Sequence, residues 1–130
     1  GEVHFREVFL EANAAWIAGL DSAFLHVHSA ALPCLPAILD MPGLGAVEIS
    51  NDPNGPRLPA LIAAARRVQA AGKPLQISNW EHPLDDDEIR RIVTDLAPAG
   101  LCVTLQASSL SEARRLYALV FRELGGASSF

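Results

Sequence analysis

The sequence predicts an α/β fold: a leading helix followed by four parallel strand–helix units, half of an eight-unit barrel. Three observations carry this reading. Helical and strand patterns alternate along the chain, with strand centres at His26, Ile49, Ile77 and Val103, roughly 25 residues apart. No hairpin signal separates the strands, so their crossovers are helical and neighbours run parallel. Each strand also has one apolar and one polar set of side chains.

The elements come in order. Val3 to Leu20 places Phe5, Phe9, Ala12, Trp16 and Leu20 at helical spacing. Ala23 to His28 reads as the first strand. Leu32 to Leu39, interrupted by Pro33 and Pro36, reads as a short helix with proline near its start, and Pro42-Gly43 and Gly45 punctuate the approach to the next strand. Ala46 to Ser50 is the second strand. Arg57 to Ala71 is a helix with Leu58, Leu61, Ile62, Ala65 and Val68 on one face, ended by Gly72. Pro74 to Ser78 is the third strand. Asp86 to Leu96 is a helix with Ile89, Ile92, Val93 and Leu96 inward and aspartates at its positive end; Pro98 and Gly100 stop it. Leu101 to Leu105 is the fourth strand. Ser109-Leu110-Ser111-Glu112 fits a capping box. The last helix turns Ala113, Leu116, Val120 and Leu124 inward, and Gly125-Gly126 closes it. Ala127 to Phe130 reads as a frayed tail.

The strand faces narrow the architecture. Leu25, Val27, Val47, Ile49, Leu75, Ile77, Leu101, Val103 and Leu105 form one alternating set. The other set reads Phe24, His26, His28; Glu48, Ser50; Gln76, Ser78; Cys102, Thr104, Gln106. A parallel sheet covered on both faces is apolar on both. Burying the polar set under helices would strand unpaired polar groups. A barrel directs such a face into a solvated cavity. Four units are too few to close the usual eight strands, so the expected fold is the (β/α)4 half of a TIM-type (β/α)8 barrel. The whole chain, 1–130, is read as one half-barrel: either it is a fragment, or self-association of two copies or a partner half completes it.

Composition bounds the function. The 130 residues are 50% hydrophobic and 19% charged, ordinary for one packed domain. Fifteen acidic and ten basic residues give a net charge of −5, and the basic pairs Arg66-Arg67, Arg90-Arg91 and Arg114-Arg115 sit on helix faces. That argues against nucleic acid as a partner, since phosphate binding needs clustered Lys and Arg. Cys34 and Cys102 show neither metal-knuckle spacing nor a disulfide framework, which points to a reducing cytoplasm. No apolar run approaches the roughly 20 residues of a membrane helix, and no signal peptide is visible. The partner class left is a small-molecule substrate.

The sharpest motif is His26-Val27-His28-Ser29. Histidines at i and i+2 on a strand point the same way and can share a metal ion or an anionic substrate. A zinc site needs at least three protein ligands, and Glu48, Asp52 and Glu81 are the candidates for the third. The other reading makes both imidazoles metal-free hydrogen-bonding groups of the cavity wall. Glu48 is a carboxylate on the polar strand face, so it is solvated, paired or functional. Asp52-Pro53-Asn54-Gly55-Pro56 forms a tight turn where barrel enzymes place their chemistry. His26, His28, Glu48 and Asp52 are therefore the candidate catalytic residues, with His26 and His28 as metal ligands. In Asn79-Trp80-Glu81-His82, after the third strand, Trp80 either stacks on a planar ligand or seals the barrel mouth. Asn79, Trp80 and Gln106 are candidate contacts to a bound group. Cys102 reads as small filler.

Several of these stretches resemble a known superfamily. They are Phe24-Leu25-His26-Val27-His28-Ser29-Ala30-Ala31, Met41-Pro42-Gly43-Leu44-Gly45-Ala46-Val47-Glu48-Ile49, Asp52 to Pro56, Gly72-Lys73-Pro74-Leu75 and Pro98-Ala99-Gly100-Leu101. Together they resemble the C-terminal half of uroporphyrinogen decarboxylase-like barrels, over nearly the whole chain. That superfamily includes the cofactor-free decarboxylase and zinc-dependent methyltransferases that serve corrinoid proteins. The resemblance thus implies a decarboxylase- or methyltransferase-type enzyme with an unassigned substrate, a zinc ion in the second case and a corrinoid protein as partner. The methyltransferases carry His-x-Cys-Gly where this chain has His26-Val27-His28-Ser29, and a further Cys where it has Leu105-Gln106-Ala107-Ser108. The decarboxylase has a His near that last loop, which is absent here.

The strand motif is also similar to the Leu-His-x-His-Ser start of metal-dependent phosphoesterases of the polymerase and histidinol phosphatase family. That resemblance implies a metal-dependent hydrolase using His26 and His28. A non-catalytic ligand-binding remnant of the fold is the third reading.

Overall fold

In the computed structural model, which describes residues 1–79 and 83–125, four strands form one parallel sheet in the order β1-β2-β3-β4. They are β1 (Ala23–His28), β2 (Leu44–Ser50), β3 (Leu75–Ser78) and β4 (Leu101–Val103). The helices are α1 (Glu2–His4), α2 (Leu10–Ile17), α3 (Leu35–Leu39), α4 (Leu58–Ala70), α5 (Asp86–Asp95) and α6 (Leu110–Glu123). A π turn, Phe5–Phe9, joins α1 to α2, and a 3-10 turn, Ser29–Cys34, leads into α3.

The strand register sorts side chains into rows. Leu25, Val47, Leu75 and Leu101 make one row; Val27, Ile49, Ile77 and Val103 make another. Both rows lie in or against the main core, where Val47, Ile49 and Ile77 are fully buried. The predicted α4 face is buried at all five positions, and so are Ile89, Ile92, Val93 and Leu96 of the α5 region. One face of each helix is apolar, and the sheet offers an apolar face to receive it.

Local signals set the ends. α4 closes at Gly72, whose φ of +70° is the left-handed conformation a glycine adopts at least cost. Lys73 then donates its backbone N–H to Val68 O and its Nζ to Leu44 O, tying the helix end to the start of β2. α5 opens on a complete capping box between Asp85 and Glu88. At α6 only half of the expected box forms. Ser109 accepts from Glu112 N, but the Glu112 carboxylate reaches back to Ser108 instead.

The leading helix differs from the spacing reading. Phe9, Trp16 and Leu20 of the marked stripe are exposed, Trp16 at 85%, while Ile17 is buried and Phe5 and Leu10 pack on the core. The π turn is the cause. It separates Phe5 from Leu10 by five residues, one i→i+5 turn, so the buried face runs one residue out of phase beyond it. The helix packs at the N-terminal end of the sheet, with Arg6 bound to Asp40 and Ile17 against the Gly43 turn. In α6, Leu116 and Leu119 are buried against α5 with Val120 beside them, whereas Ala113 and Leu124 are exposed. α6 touches the fold through α5, so its contact stripe is rotated from the expected one. The tail residues 126–130 lie outside the described residues.

If Ile17 anchors the leading helix in the main core, Ile17→Ala should lower stability by about 2–4 kcal/mol, as Leu61→Ala should in α4. Urea unfolding of the two variants checks this. A loss below about 0.5 kcal/mol for Ile17→Ala would mean that the helix is detached from the core.

Candidate functional site

Parallel register places a second pair of rows on the face away from the helices. His26, Glu48, Gln76 and Cys102 lie side by side on the four strands, and His28, Ser50 and Ser78 form the next row on three of them. The sheet thereby brings together residues far apart in sequence, toward the C-terminal strand ends. Two histidine–carboxylate pairs result. His26 Nδ1 lies 3.0 Å from Glu48 Oε2, and His28 Nδ1 lies 3.1 Å from Asp52 Oδ1. The two rings meet edge-on, with centroids 4.8 Å apart.

Asp52 is the hub. Its Oδ2 accepts from the backbone N–H and the hydroxyl of Ser29, both at 2.8 Å, and its Oδ1 accepts from the Ser50 hydroxyl at 2.8 Å. Burial pushes this carboxyl up, but the bonds from His28, Ser29 and Ser50 outweigh it and hold it at about 2. Asp52 is thus ionised and accepts only, so His28 carries its proton on Nδ1. Its Nε2 is the ring nitrogen that does not touch this carboxylate. The turn that presents Asp52 closes with a bond from Gly55 N to Asp52 O. A Cβ at Gly55 would collide with the Ser29 side chain, so this position admits only glycine without displacing the hub.

Beside the hub runs a chain of buried amides. Asn51 Nδ2 donates to Asn79 Oδ1, and Asn79 Nδ2 donates to Thr104 O. Asn79, expected as a contact to a bound group, is 1% exposed and links the ends of β2 and β3 to the segment after β4. Gln106 is exposed and lines a cavity of about 550 Å³ with Pro83, Leu105 and Glu112, apart from the histidines. Trp80 and Glu81 lie outside the described residues.

The polar face is not uniformly open. His26 and His28 are well exposed, but Glu48 and Ser50 are nearly buried and Ser78 fully so. Among the described residues the Ser78 hydroxyl has no hydrogen-bond partner. Ser29, Ser50 and Asn51 are site residues that sequence reasoning did not single out. The Ser50 hydroxyl reaches the Asp52 carboxylate only because the chain turns at the end of β2, which composition does not reveal.

The described donors do not fit a three-ligand zinc site. Among the described residues, no three His, Cys, Asp or Glu side chains come together as a metal-binding set. Glu48 and Asp52, two of the candidate third ligands, instead face the Nδ1 atoms of the rings. Among the described residues, no helix is long and apolar enough to cross a membrane. No family model matches the chain, and neither the curated proteins nor the solved structures give a match.

The shift at Asp52 sets a pH window. A depressed carboxyl contributes stability above its unfolded value near 3.8 and loses that contribution as pH falls through about 2. The amount is on the order of 2 kcal/mol. Asp52→Asn should remove it at neutral pH and flatten the acid limb between roughly pH 4 and pH 2 relative to wild type. Denaturant titrations across that range check this; an unchanged acid limb would show that Asp52 is not held by its neighbours.

Proposed function

We propose that this chain is the C-terminal half of a uroporphyrinogen decarboxylase-like (β/α)8 barrel and works as a decarboxylase-type enzyme on a small carboxylic acid. The observation that carries the reading is the pair of histidines backed by Glu48 and Asp52 at the C-terminal strand ends, where barrel enzymes place their chemistry. Four parallel strand–helix units supply half of an eight-strand barrel, and the polar rows would form part of its inner wall.

In this reading the substrate carboxylate leaves as CO2 when its C–C bond breaks. The electron pair left on carbon takes a proton from the Nε2–H of a protonated imidazole. Asp52 and Glu48 orient the rings through Nδ1 and stabilise them while they are charged, as the third group of a hydrolase triad does. Ser29 and Ser50 hold Asp52 in place, so they are positioning residues. A reducing cytoplasm suits Cys34 and Cys102, both free thiols.

A second reading is supported by the same Nδ1 contacts, because metal-binding histidines commonly donate their other nitrogen to a carboxylate. It makes the chain a metal-dependent hydrolase or a methyltransferase serving a corrinoid protein, with a further ligand from beyond the described residues.

One experiment separates the readings. Small mono- and dicarboxylates are screened for CO2 release with wild type, His28→Gln and Glu48→Gln, alongside metal analysis of the protein as isolated. Decarboxylation that falls about 10²- to 10⁴-fold in His28→Gln supports acid–base work by the histidines. Stoichiometric zinc that is lost in His28→Ala, with no CO2 release, overturns it in favour of the metal reading. Neither activity nor metal would leave a non-catalytic ligand-binding domain.

A further inference from the structure

The crossovers on either side of β2 differ in size. The one before it carries α3, five residues long, and the one after it carries α4, thirteen residues long. At 1.5 Å per residue, α4 outreaches α3 by roughly 12 Å. Part of the flank that α4 turns toward the first crossover is therefore uncovered, and a groove of about 460 Å³ lies along it.

One wall of the groove is Leu32 and Pro33 of the 3-10 turn; the other is Ala60, Ala63 and Ala64 of α4. These alanines are spaced i, i+3, i+4, so they share one helix face, and their short side chains leave the trough open. Arg67, at i+7 on the same face, stands at one end. Ser29 and Pro56 close the other, at the C-terminal strand ends where α4 begins. The Ser29 hydroxyl is the one that bonds Asp52.

Charge and length select the occupant. Among the described residues Arg67 is the only charged group lining the groove, and its guanidinium makes no ion pair or hydrogen bond with them. Arg66 beside it, by contrast, is taken by Asp95. The groove thus matches a ligand with an apolar body and one anionic end, and a guanidinium pairs best with a carboxylate, whose two oxygens meet its fork of N–H donors. Ala60 and Arg67 lie about 10 Å apart along the helix axis. An extended chain gains about 1.2 Å per bond, so roughly eight carbons cover that distance.

We propose that this groove binds a medium-chain aliphatic carboxylate, its head on the Arg67 guanidinium and its tail along the alanines of α4 toward Ser29 and Pro56. The tail end then rests against the residue that holds Asp52, so occupancy is felt at the His28–Asp52 pair. The site lies apart from the histidines and does not rest on the decarboxylase reading, because its test reads binding and not turnover.

The test is calorimetric titration of the whole chain with sodium octanoate, with circular dichroism to confirm that each variant folds. Octanoate should bind saturably. Butyrate, four methylenes shorter, should bind at least about tenfold more weakly. Arg67→Glu should weaken octanoate roughly tenfold or more, because it sets like charges together. Ala63→Leu, at an exposed site, fills the trough and should weaken it by about as much through lost room for the chain. In wild type, saturating octanoate should shift the imidazole NMR signal of His28, and in Arg67→Glu the same concentration should not. Failure of octanoate to bind at millimolar concentration would overturn the proposal. So would binding indifferent to Arg67 and Ala63, an unmoved His28 signal at saturation, or octanol binding as tightly as octanoate. Association of the chain with itself that Ala63→Leu abolishes would assign the groove to a second copy instead.

Discussion

Each strand turns its aliphatic side chains to one face of the sheet, and the core is built on that face. Leu25, Val27, Val47, Ile49, Leu75 and Ile77 share one core there with the inner faces of α3 and α4. The hydrophobic effect that assembles this core also dictates where the polar residues go, because successive side chains on a strand point to opposite sides. The rows holding His26, Glu48, His28 and Ser50 are therefore the other half of the pattern that makes the core. A one-residue slip in the register of β1 would send both histidines into the core and Val27 out of it.

On that face, order is electrostatic. Asp52 gathers two hydroxyls, a backbone N–H and an imidazole, and these contacts outweigh its burial. The bonds join the end of β1 to the turn after β2, so the same carboxylate that orients His28 also holds two strand ends together. The buried Asn51–Asn79–Thr104 chain extends the tie across β3 to the segment after β4. Buried polar groups are stable here because they satisfy one another. The Ser78 hydroxyl, without a partner among the described residues, is the exception.

The two ends of the chain obey a different constraint. A helix packed on one side needs one apolar stripe, yet the leading helix and α6 carry two each. α4 and α5, in the middle, bury theirs against the sheet or a neighbouring helix and show charge outward, as with Arg66–Asp95 and Arg90–Asp87. The contrast places the exposed apolar surface of this fold mainly on its first and last helices.

The sequence by itself determined the element order, the parallel sheet and the division of each strand into an apolar and a polar side. Those depend on periodicity and on short-range signals such as Gly72 and Pro98, which need no partner elsewhere to act. It also brought His26, His28, Glu48 and Asp52 forward, since charged and imidazole side chains opposite an aliphatic row must be solvated, paired or functional. Only the tertiary structure decided what those residues do to one another. That His26 meets Glu48 and His28 meets Asp52 depends on strand register. That Asn79 is a buried tie depends on Asn51 and Thr104 arriving beside it. The phase of the leading helix depended on a π turn, which helical spacing does not reveal because it adds one residue to a single turn. In α6 both stripes were apolar in the sequence, and packing against α5 chose between them.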